Sequence, residues 1–540
     1  MNNKKILLVA GLFTLAVLFS FQSRFFEIAK QIEIYNNLFK ELNINYIDEI
    51  NPGNLTDRVI KSTLKNLDPY TNFYNEQDVE DVRIRREGEY GGIGVLTHYS
   101  KQGIVLSEVY KDFPADKAGF KPGDIIIGVN GQSLKGLANS ELSQILKGIP
   151  GKEIYLEVQR GNQKINSAIK LDKIVVNPVP FFDMINDEIG YVVLTRFTSK
   201  KASEELTKAV EILKNKGMKK LIFDLRSNPG GSLLDAVNIT NLFIPKGEIV
   251  VDTRGKINSN SQIYKTNKEP FDTQIPLVVL IDNRSASASE IVAGALQDYD
   301  RAIVLGKRSF GKGLVQRYFN LSYGTQVKIT ISKYYTPSGR CIQELDYANR
   351  DFNTGKVPKF SDKEVLKFTT KNGRSVYDGG GIVPDVEAKQ TDSNSTTKEL
   401  LKSKAIFNFA YQYSSKIKTL DSLNFKFSDT DFSEFKNFLL TDTSFVSKDE
   451  NTLKKAFGLL KNKQAVKDEY EKLALKLNLE KIKKISENKD LIAAAIEREI
   501  IKAAFYKQGM YRHQLKNDNI IKQAVNLLNN SLTYKTILNK

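Results

Sequence analysis

The chain is poor in the residues on which many enzyme mechanisms rely. It holds one cysteine, Cys341, in 540 residues. No disulfide can form within it, and a zinc site built from several thiolates is excluded. It holds two histidines, His98 and His513. They are too few for a His-rich metal motif, and any mechanism needing an imidazole base must use one of them. Internal repeats are absent, and so is a basic cluster interleaved with aromatics. The net charge of +17 is therefore read as a lysine-rich solvated surface and not as a nucleic-acid footprint. No cofactor, metal or nucleic-acid partner is expected.

The hydrophobic fraction of 41% is ordinary for a globular protein. The length calls for three or four domains instead of one core. At the N-terminus, Met1-Asn-Asn-Lys4-Lys5 precedes an apolar run from Ile6 to Phe21. Lysines followed by such a run fit a secretion signal or short anchor. No small-x-small cleavage site follows before Gln22-Ser23-Arg24-Phe25, and no cysteine is there to take a lipid. Residues 1–24 are read as an uncleaved signal-anchor, with cleavage as the alternative. The rest of the chain is then exported to the cell envelope, on the periplasmic side of the inner membrane.

From Glu27 to about Glu87 the pattern is helical, with a break at Asn51-Pro52-Gly53. Residues 89–173 alternate β-like runs, such as Gly103–Val109, Asp124–Val129 and Ile154–Val158, with glycine turns. A short helix is expected at Ser140–Lys147. Residues 174–388 alternate strands with helices, as an α/β layer structure does. The strands are Ile189–Leu194, Lys220–Leu225 and Ile275–Ile281. The helices are Ser203–Lys216, Leu233–Leu242 and Ala288–Asp298. Gln390–Lys398 is polar and reads as a linker. The remainder of 389–540 is almost wholly helical in pattern.

Three segments carry chemistry. Asp282-Asn-Arg-Ser285-Ala-Ser287-Ala-Ser289-Glu290 leaves a buried strand and opens a helix. That places Ser287 on a strand-to-helix turn at the positive end of a helix dipole. Taken alone, Ser287-Ala-Ser-Glu290 reads as a capping box. Gly306-Lys-Arg-Ser-Phe-Gly311-Lys312-Gly313-Leu-Val-Gln316 nearly spells a P-loop. It has Gly313 where a Mg²⁺-binding Ser or Thr belongs, and strand-like alternation follows instead of a helix. Asp224-Leu-Arg226-Ser-Asn-Pro229-Gly230-Gly231 ends a strand. Its paired glycines let a backbone N–H face an oxyanion, although a plain tight turn is the simpler reading of the segment by itself.

In this order the three blocks resemble the C-terminal processing peptidases, or tail-specific proteases. The resemblance runs from about Asn45 to Glu387 and includes Leu67-Asp-Pro-Tyr70, Tyr335-Thr-Pro-Ser-Gly-Arg340 and Gly380-Gly-Ile-Val-Pro-Asp385. It implies a serine endopeptidase with Ser287 as nucleophile, Lys312 as general base and Gln316 supporting the lysine. The N–H groups of Ala288 and of Gly230 or Gly231 would form the oxyanion hole. It also implies a PDZ-like β domain and a layered ClpP/crotonase-like protease core; with the helical N-terminal region over 25–88 and the helical C-terminal region read from the pattern, the fold expected is multidomain α/β (α+β). The chemistry fits. A serine hydroxyl needs a base, and a lysine serves only when neutral, which burial among Phe310, Leu314 and Val315 would favour.

Gly91-Gly92-Ile93-Gly94-Val95, with Phe113–Ile125 and Val129-Asn130-Gly131 downstream, resembles a PDZ domain. The implied partner is a protein substrate whose C-terminal carboxylate is captured by Gly91, Gly92, Ile93 and Gly94 while its tail adds as a strand. Arg85 and Arg86 are candidates to reinforce that charge, though a solvated surface role is the simpler reading. A non-catalytic envelope scaffold binding C-terminal tails is the competing function. For the C-terminal helices, packing on the core, a homo-oligomer interface and an adaptor site all stay open.

Overall fold

The computed structural model describes residues 25–540 apart from 77, 80, 81, 84–88, 138–141, 143, 144, 200, 361–364, 390–392, 417–424, 461 and 462. The expected signal-anchor and the arginines Arg85 and Arg86 lie outside the described residues. Among the described residues, no helix is long and apolar enough to cross a membrane.

The chain forms two compact units. The smaller takes in the described residues up to Val79 together with Arg317–Thr330 and Phe352–Gly355. It holds helix α1 (25–45) and helix α2 (Pro52–Lys65), which starts on an Asn51 side chain accepting the Asn54 N–H. The helical run expected up to Glu87 is interrupted after Lys65, and helical residues return at 76, 78, 79, 82 and 83. Asp68 makes the break by accepting the N–H groups of Tyr70 and Thr71, both at 2.8 Å. Beyond this Asx turn and Pro69 the chain is extended, and strand β1 (Asn72–Tyr74) pairs antiparallel with Gln326–Lys328.

The larger unit begins with the PDZ-like module. Its strands are β2 (Glu89–Gly92), β3 (Val95–Tyr99), β4 (Ile104–Val109), β5 (Ile125–Val129), β6 (Glu153–Arg160), β7 (Gln163–Lys170) and β8 (Asp172–Val175). Strands β3 to β7 form an antiparallel sheet in chain order, and β2 pairs with β8. Alternate residues of β6, namely Ile154, Leu156 and Val158, enter one core with Leu106, Phe120 and Ile126. Leu142 and Leu146 of the expected 140–147 helix are buried in that core; residues 140, 141, 143 and 144 lie outside the described residues.

The α/β region contains β9 (Phe181–Met184), β10 (Ile189–Val193), α3 (Lys201–Asn215), β11 (Lys220–Asp224), α4 (Leu233–Asn241), β12 (Ile249–Gly255), β13 (Gln262–Lys265), β14 (Leu277–Ile281), α5 (Ala288–Asp298), β15 (Ile303–Gly306), β16 (Leu314–Asn320), β17 (Gln326–Tyr335) and β18 (Val386–Glu387), of which the parts of β16 and β17 within Arg317–Thr330 belong to the smaller unit. One sheet runs β9-β10-β11-β14-β15-β18, parallel except for β9. Every residue of β10 and β14 is buried, as parallel strands require when both faces are covered. Leu221, Phe223, Leu277 and Val279 face α3, α4 and α5.

The opposite face is covered by the end of the chain. The C-terminal helices are α6 (Ser395–Lys402), α7 (Ala405–Lys416), α8 (Asp429–Thr441), α9 (Lys448–Leu459), α10 (Lys467–Ser486), α11 (Lys489–Asn517), α12 (Asn519–Asn529) and α13 (Ser531–Ile537). Tyr191, Ile222, Val278 and Leu280 pack against Ile521, Ala524, Leu528 and Tyr534. Of the readings open for this region, packing on the core is what its last two helices show. Helices α6, α7, α8, α10 and α11 share a phenylalanine-rich core around Phe409 and Phe435. The expected linker is shorter than its composition suggested, because Asn394 accepts the Thr397 N–H and caps α6.

The far end of α5 is held by Arg340, whose guanidinium donates to Asp298 Oδ1 and Gln297 Oε1, each at 2.7 Å. Arg340 and Asp298 are both 1% exposed. Removing one partner strands a buried charge, so Arg340→Leu should cost about 3–5 kcal/mol, read as a lower urea midpoint. A parental midpoint would show that the pair does not hold the helix.

Candidate active site

Strand β14 ends at Ile281 and α5 begins at Ala288, so Ser287 sits on the turn between them. Its backbone is at φ 58° and ψ −115°. That is a costly conformation for a non-glycine residue, and such strain gathers where a side chain must be presented. Glu290 accepts the Ser287 N–H at 2.7 Å, as a capping box would have it. The serine backbone, however, is not the extended one of a capping residue. Ala288, first in the helix, has no intrahelical acceptor for its N–H.

The loop after β11 lies against this turn. Asn228 receives the Ala286 N–H at 3.0 Å and the Ser289 hydroxyl at 2.9 Å on its carbonyl oxygen. Ser227, at φ 60°, donates its N–H and hydroxyl to the Asp282 carboxylate at 2.8 and 3.0 Å. Gly230 has φ 92°, and a Cβ there would lie 2.8 Å from both Ala288 N and Ser287 Cβ. Any side chain at 230 would thus push into the Ser287 turn. The Gly230 N–H is committed to Asn228 Oδ1 at 2.9 Å. Gly231 bridges Phe197 instead, accepting its place through the carbonyl of Gly230 and the N–H of Ser232.

Lys312 comes from a third segment, between β15 and β16. What joins it to Ser287 is the Glu290 carboxylate, which is wholly buried. Oε2 accepts the N–H of Ser287 at 2.7 Å and of Lys312 at 3.0 Å. Oε1 accepts the Ser309 hydroxyl at 2.6 Å and the Gly311 N–H at 2.7 Å. Tyr334, 1% exposed, closes the same pair from the carbonyl side. Its hydroxyl lies 3.2 Å from the Ser287 carbonyl oxygen and within hydrogen-bond reach of that of Lys312. Burial pushes the Glu290 carboxyl up to about 7, while its four donors work against burial and favour the carboxylate.

Gly313 is required by close approach. A Cβ there would lie 2.8 Å from the Gln343 N, and the Gly313 N–H donates to Gln343 Oε1 at 2.8 Å. Strand β16 follows at once, so this is not a phosphate loop opening a helix. Gln316 lies on β16, four residues on from Lys312; in an extended segment even spacing keeps residues on one face. Ser287, Lys312 and Gln316 are all half-buried.

The structure gathers the Ser287 turn, Ala288, Gly230 and the Lys312 loop in one place. It sets Gly91, Gly92, Ile93 and Gly94 apart, in the PDZ-like module. His98 and His513 have other partners, Ser107 Oγ at 2.7 Å and the Phe425 carbonyl oxygen at 3.3 Å. Sequence reasoning gave Glu290 only a capping role and gave Tyr334 and Asn228 none. One signal for Glu290 was available: it is the sole charged residue in Ala288–Gln297, an otherwise small or apolar helix.

Comparison with known proteins gives the family. The model of peptidase family S41 matches residues 188–349, that of a PDZ domain 91–171, and that of a PDZ-protease C-terminal helical domain 396–528. A carboxy-terminal-processing protease of Bartonella bacilliformis is 34% identical over 322 residues, 58% of this chain and 73% of the relative. The chain belongs to peptidase family S41. A CtpA-like serine protease of Staphylococcus aureus is 31% identical over 441 residues, 79% of this chain and 84% of its own length. The solved photosystem II D1 C-terminal processing protease overlaps with a TM-score of 0.38 at 24% identity, over 66% of this chain and 92% of that one. As an S41 member this chain is a serine-type peptidase, which sets the non-catalytic scaffold aside.

A proton on Glu290 would turn an accepting oxygen into a donor and loosen the S41 site. Catalysis should therefore need the carboxylate, and kcat/KM should rise with pH through about 7. Stability should move the other way. The folded state holds this proton more tightly than the unfolded chain, so the contribution of Glu290 is present below its ordinary 4.5 and is lost as pH rises to about 7. Glu290→Gln should flatten the stability slope and cost at least about tenfold in rate, since its one amide oxygen replaces only one of the two accepting oxygens and its NH2 then faces the donors of the other. A variant with parental rate and slope would contradict this.

Proposed function

We propose that this chain is a tail-directed endopeptidase of the cell envelope in which Ser287 attacks the scissile carbonyl. The Lys312 amine takes the proton from Ser287 Oγ as the Oγ–carbon bond forms. The tetrahedral oxyanion rests on the N–H groups of Ala288 and Gly231. Collapse breaks the peptide C–N bond and the lysine returns its proton to the leaving amine; water then cleaves the acyl-enzyme by the reverse proton path. Gln316 orients the lysine amine without adding a charge. The observation that carries this reading is the shared carboxylate: Glu290 Oε2 accepts from the backbones of both Ser287 and Lys312. Gly231 is chosen over Gly230 because Asn228 Oδ1 already takes the Gly230 N–H.

Tail capture is assigned to the PDZ module. Strand β3 is an edge, paired only with β4 among the described residues, and Gly94 just before it has φ 79°. A free strand edge beside a loop of backbone donors suits an incoming C-terminal strand. Of the four expected loop residues, Gly91 and Gly92 are paired with β8 and Ile93 is 1% exposed. They offer backbone and shape instead of side chains. The lysine-flanked apolar run of residues 1–24 supports an inner-membrane anchor with the enzyme on the periplasmic side.

Ser287→Ala should lose casein hydrolysis and fluorophosphonate labelling. Lys312→Ala should stay folded, with a parental circular dichroism spectrum, and be inactive. Activity retained in either variant would reassign that role. Deleting residues 89–173 should reduce cleavage of tail-bearing proteins far more than of short peptides, whereas equal losses would rule out tail gating.

A further inference from the structure

The oxyanion loop is anchored from an unexpected direction. Arg226, at its start, wraps the Asp224 carboxylate with Nε at 2.9 and 3.0 Å and Nη2 at 2.6 Å. Its remaining arm, Nη1, donates to Asp518 Oδ2 at 2.7 Å. Asp224 is further held by the Tyr191 hydroxyl at 2.6 Å. The group is little exposed: 16% for the side chains of Arg226 and Asp518, 5% for that of Asp224. Asp518 lies in the helical C-terminal region. With its other oxygen it accepts the Ile520 N–H at 2.8 Å and the Ile521 N–H at 3.4 Å, capping α12. From Arg226 the chain passes directly through Ser227 and Asn228, the two residues that bond to the nucleophile turn at Asp282, Ala286 and Ser289.

We infer that Asp518 is a positioning residue for catalysis, a carboxylate through which the C-terminal helices set the oxyanion loop by way of Arg226. A planar guanidinium held at both ends cannot swing, and its backbone, two residues from Asp224, is fixed with it. With Asp518 neutral, one arm is loosened and the loop gains freedom toward Gly230 and Gly231. Misplacing catalytic donors by even about 1 Å costs up to about a hundredfold in rate. The contact does not touch the substrate, so it should act on turnover and not on binding.

The inference rests on the oxyanion assignment above, and the test separates the two. Asp518→Asn and Asp518→Ser both remove the charge and keep a good helix cap. With a short peptide substrate, each should lower kcat by about tenfold, the step from a charge-assisted to a neutral contact, with KM within about twofold and the melting temperature unchanged. Asp518→Glu should recover most of the loss. Parental kcat in both neutral variants overturns the coupling and leaves the protease reading intact. A kcat loss matched by a lower melting temperature in both also overturns it, because the role is then only structural. If parental enzyme shows no Ser287-dependent turnover, the protease reading itself falls, and this inference with it.

Discussion

One buried carboxylate organises the site. In the proposed mechanism, three chain segments distant in sequence deliver a hydroxyl, an amine and backbone donors to one point within fractions of an ångström. Glu290 does most of this by accepting four hydrogen bonds, two of them from the backbones of Ser287 and Lys312. A carboxylate without exposure is costly unless its lone pairs are filled. Here the donors that fill them are the segments that need positioning, so loss of either segment would leave the other's anchor unsatisfied. The strain at Ser287 is tolerable because Glu290 and Tyr334 hold both sides of the residue.

The sheet beneath extends the same logic. Its strands are apolar on both faces, so one layer of helices cannot bury it. Helices α3, α4 and α5 cover one face, and the last two helices of the chain cover the other. Tyr534 even hydrogen-bonds to the backbone of Leu277 in the strand that leads to Ser287. A protease core completed by the C-terminal end of its own chain ties catalytic geometry to the helical region, and Arg226 with Asp518 marks where that tie reaches the oxyanion loop.

Local signals in the sequence were strong where burial and punctuation agreed. The strand expected at Ile275–Ile281, found at Leu277–Ile281, and the helix Ala288–Asp298 were legible because an all-apolar strand and a small-residue helix flank a turn-rich hexapeptide. The failed P-loop was legible from Gly313, and the structure supplies the reason in the Gln343 backbone pressed against it. Strand β1 was not legible, because its pairing partner lies more than two hundred residues away and three residues carry little periodicity. Nor was the capping of α6 by Asn394, which polar composition disguised as linker. The roles of Tyr334 and Asp518 depend on contacts across the fold, and no local pattern announces those.

The most direct test is the structure of an acyl-enzyme trapped with a peptide inhibitor. The acyl carbon should lie on Ser287 Oγ, the carbonyl oxygen between Ala288 N and Gly231 N, and the Lys312 amine within hydrogen-bond reach of Oγ, with Glu290 still accepting from both backbones. An adduct on another residue, or a Lys312 amine beyond reach while Glu290 holds its present contacts, would contradict the proposed mechanism.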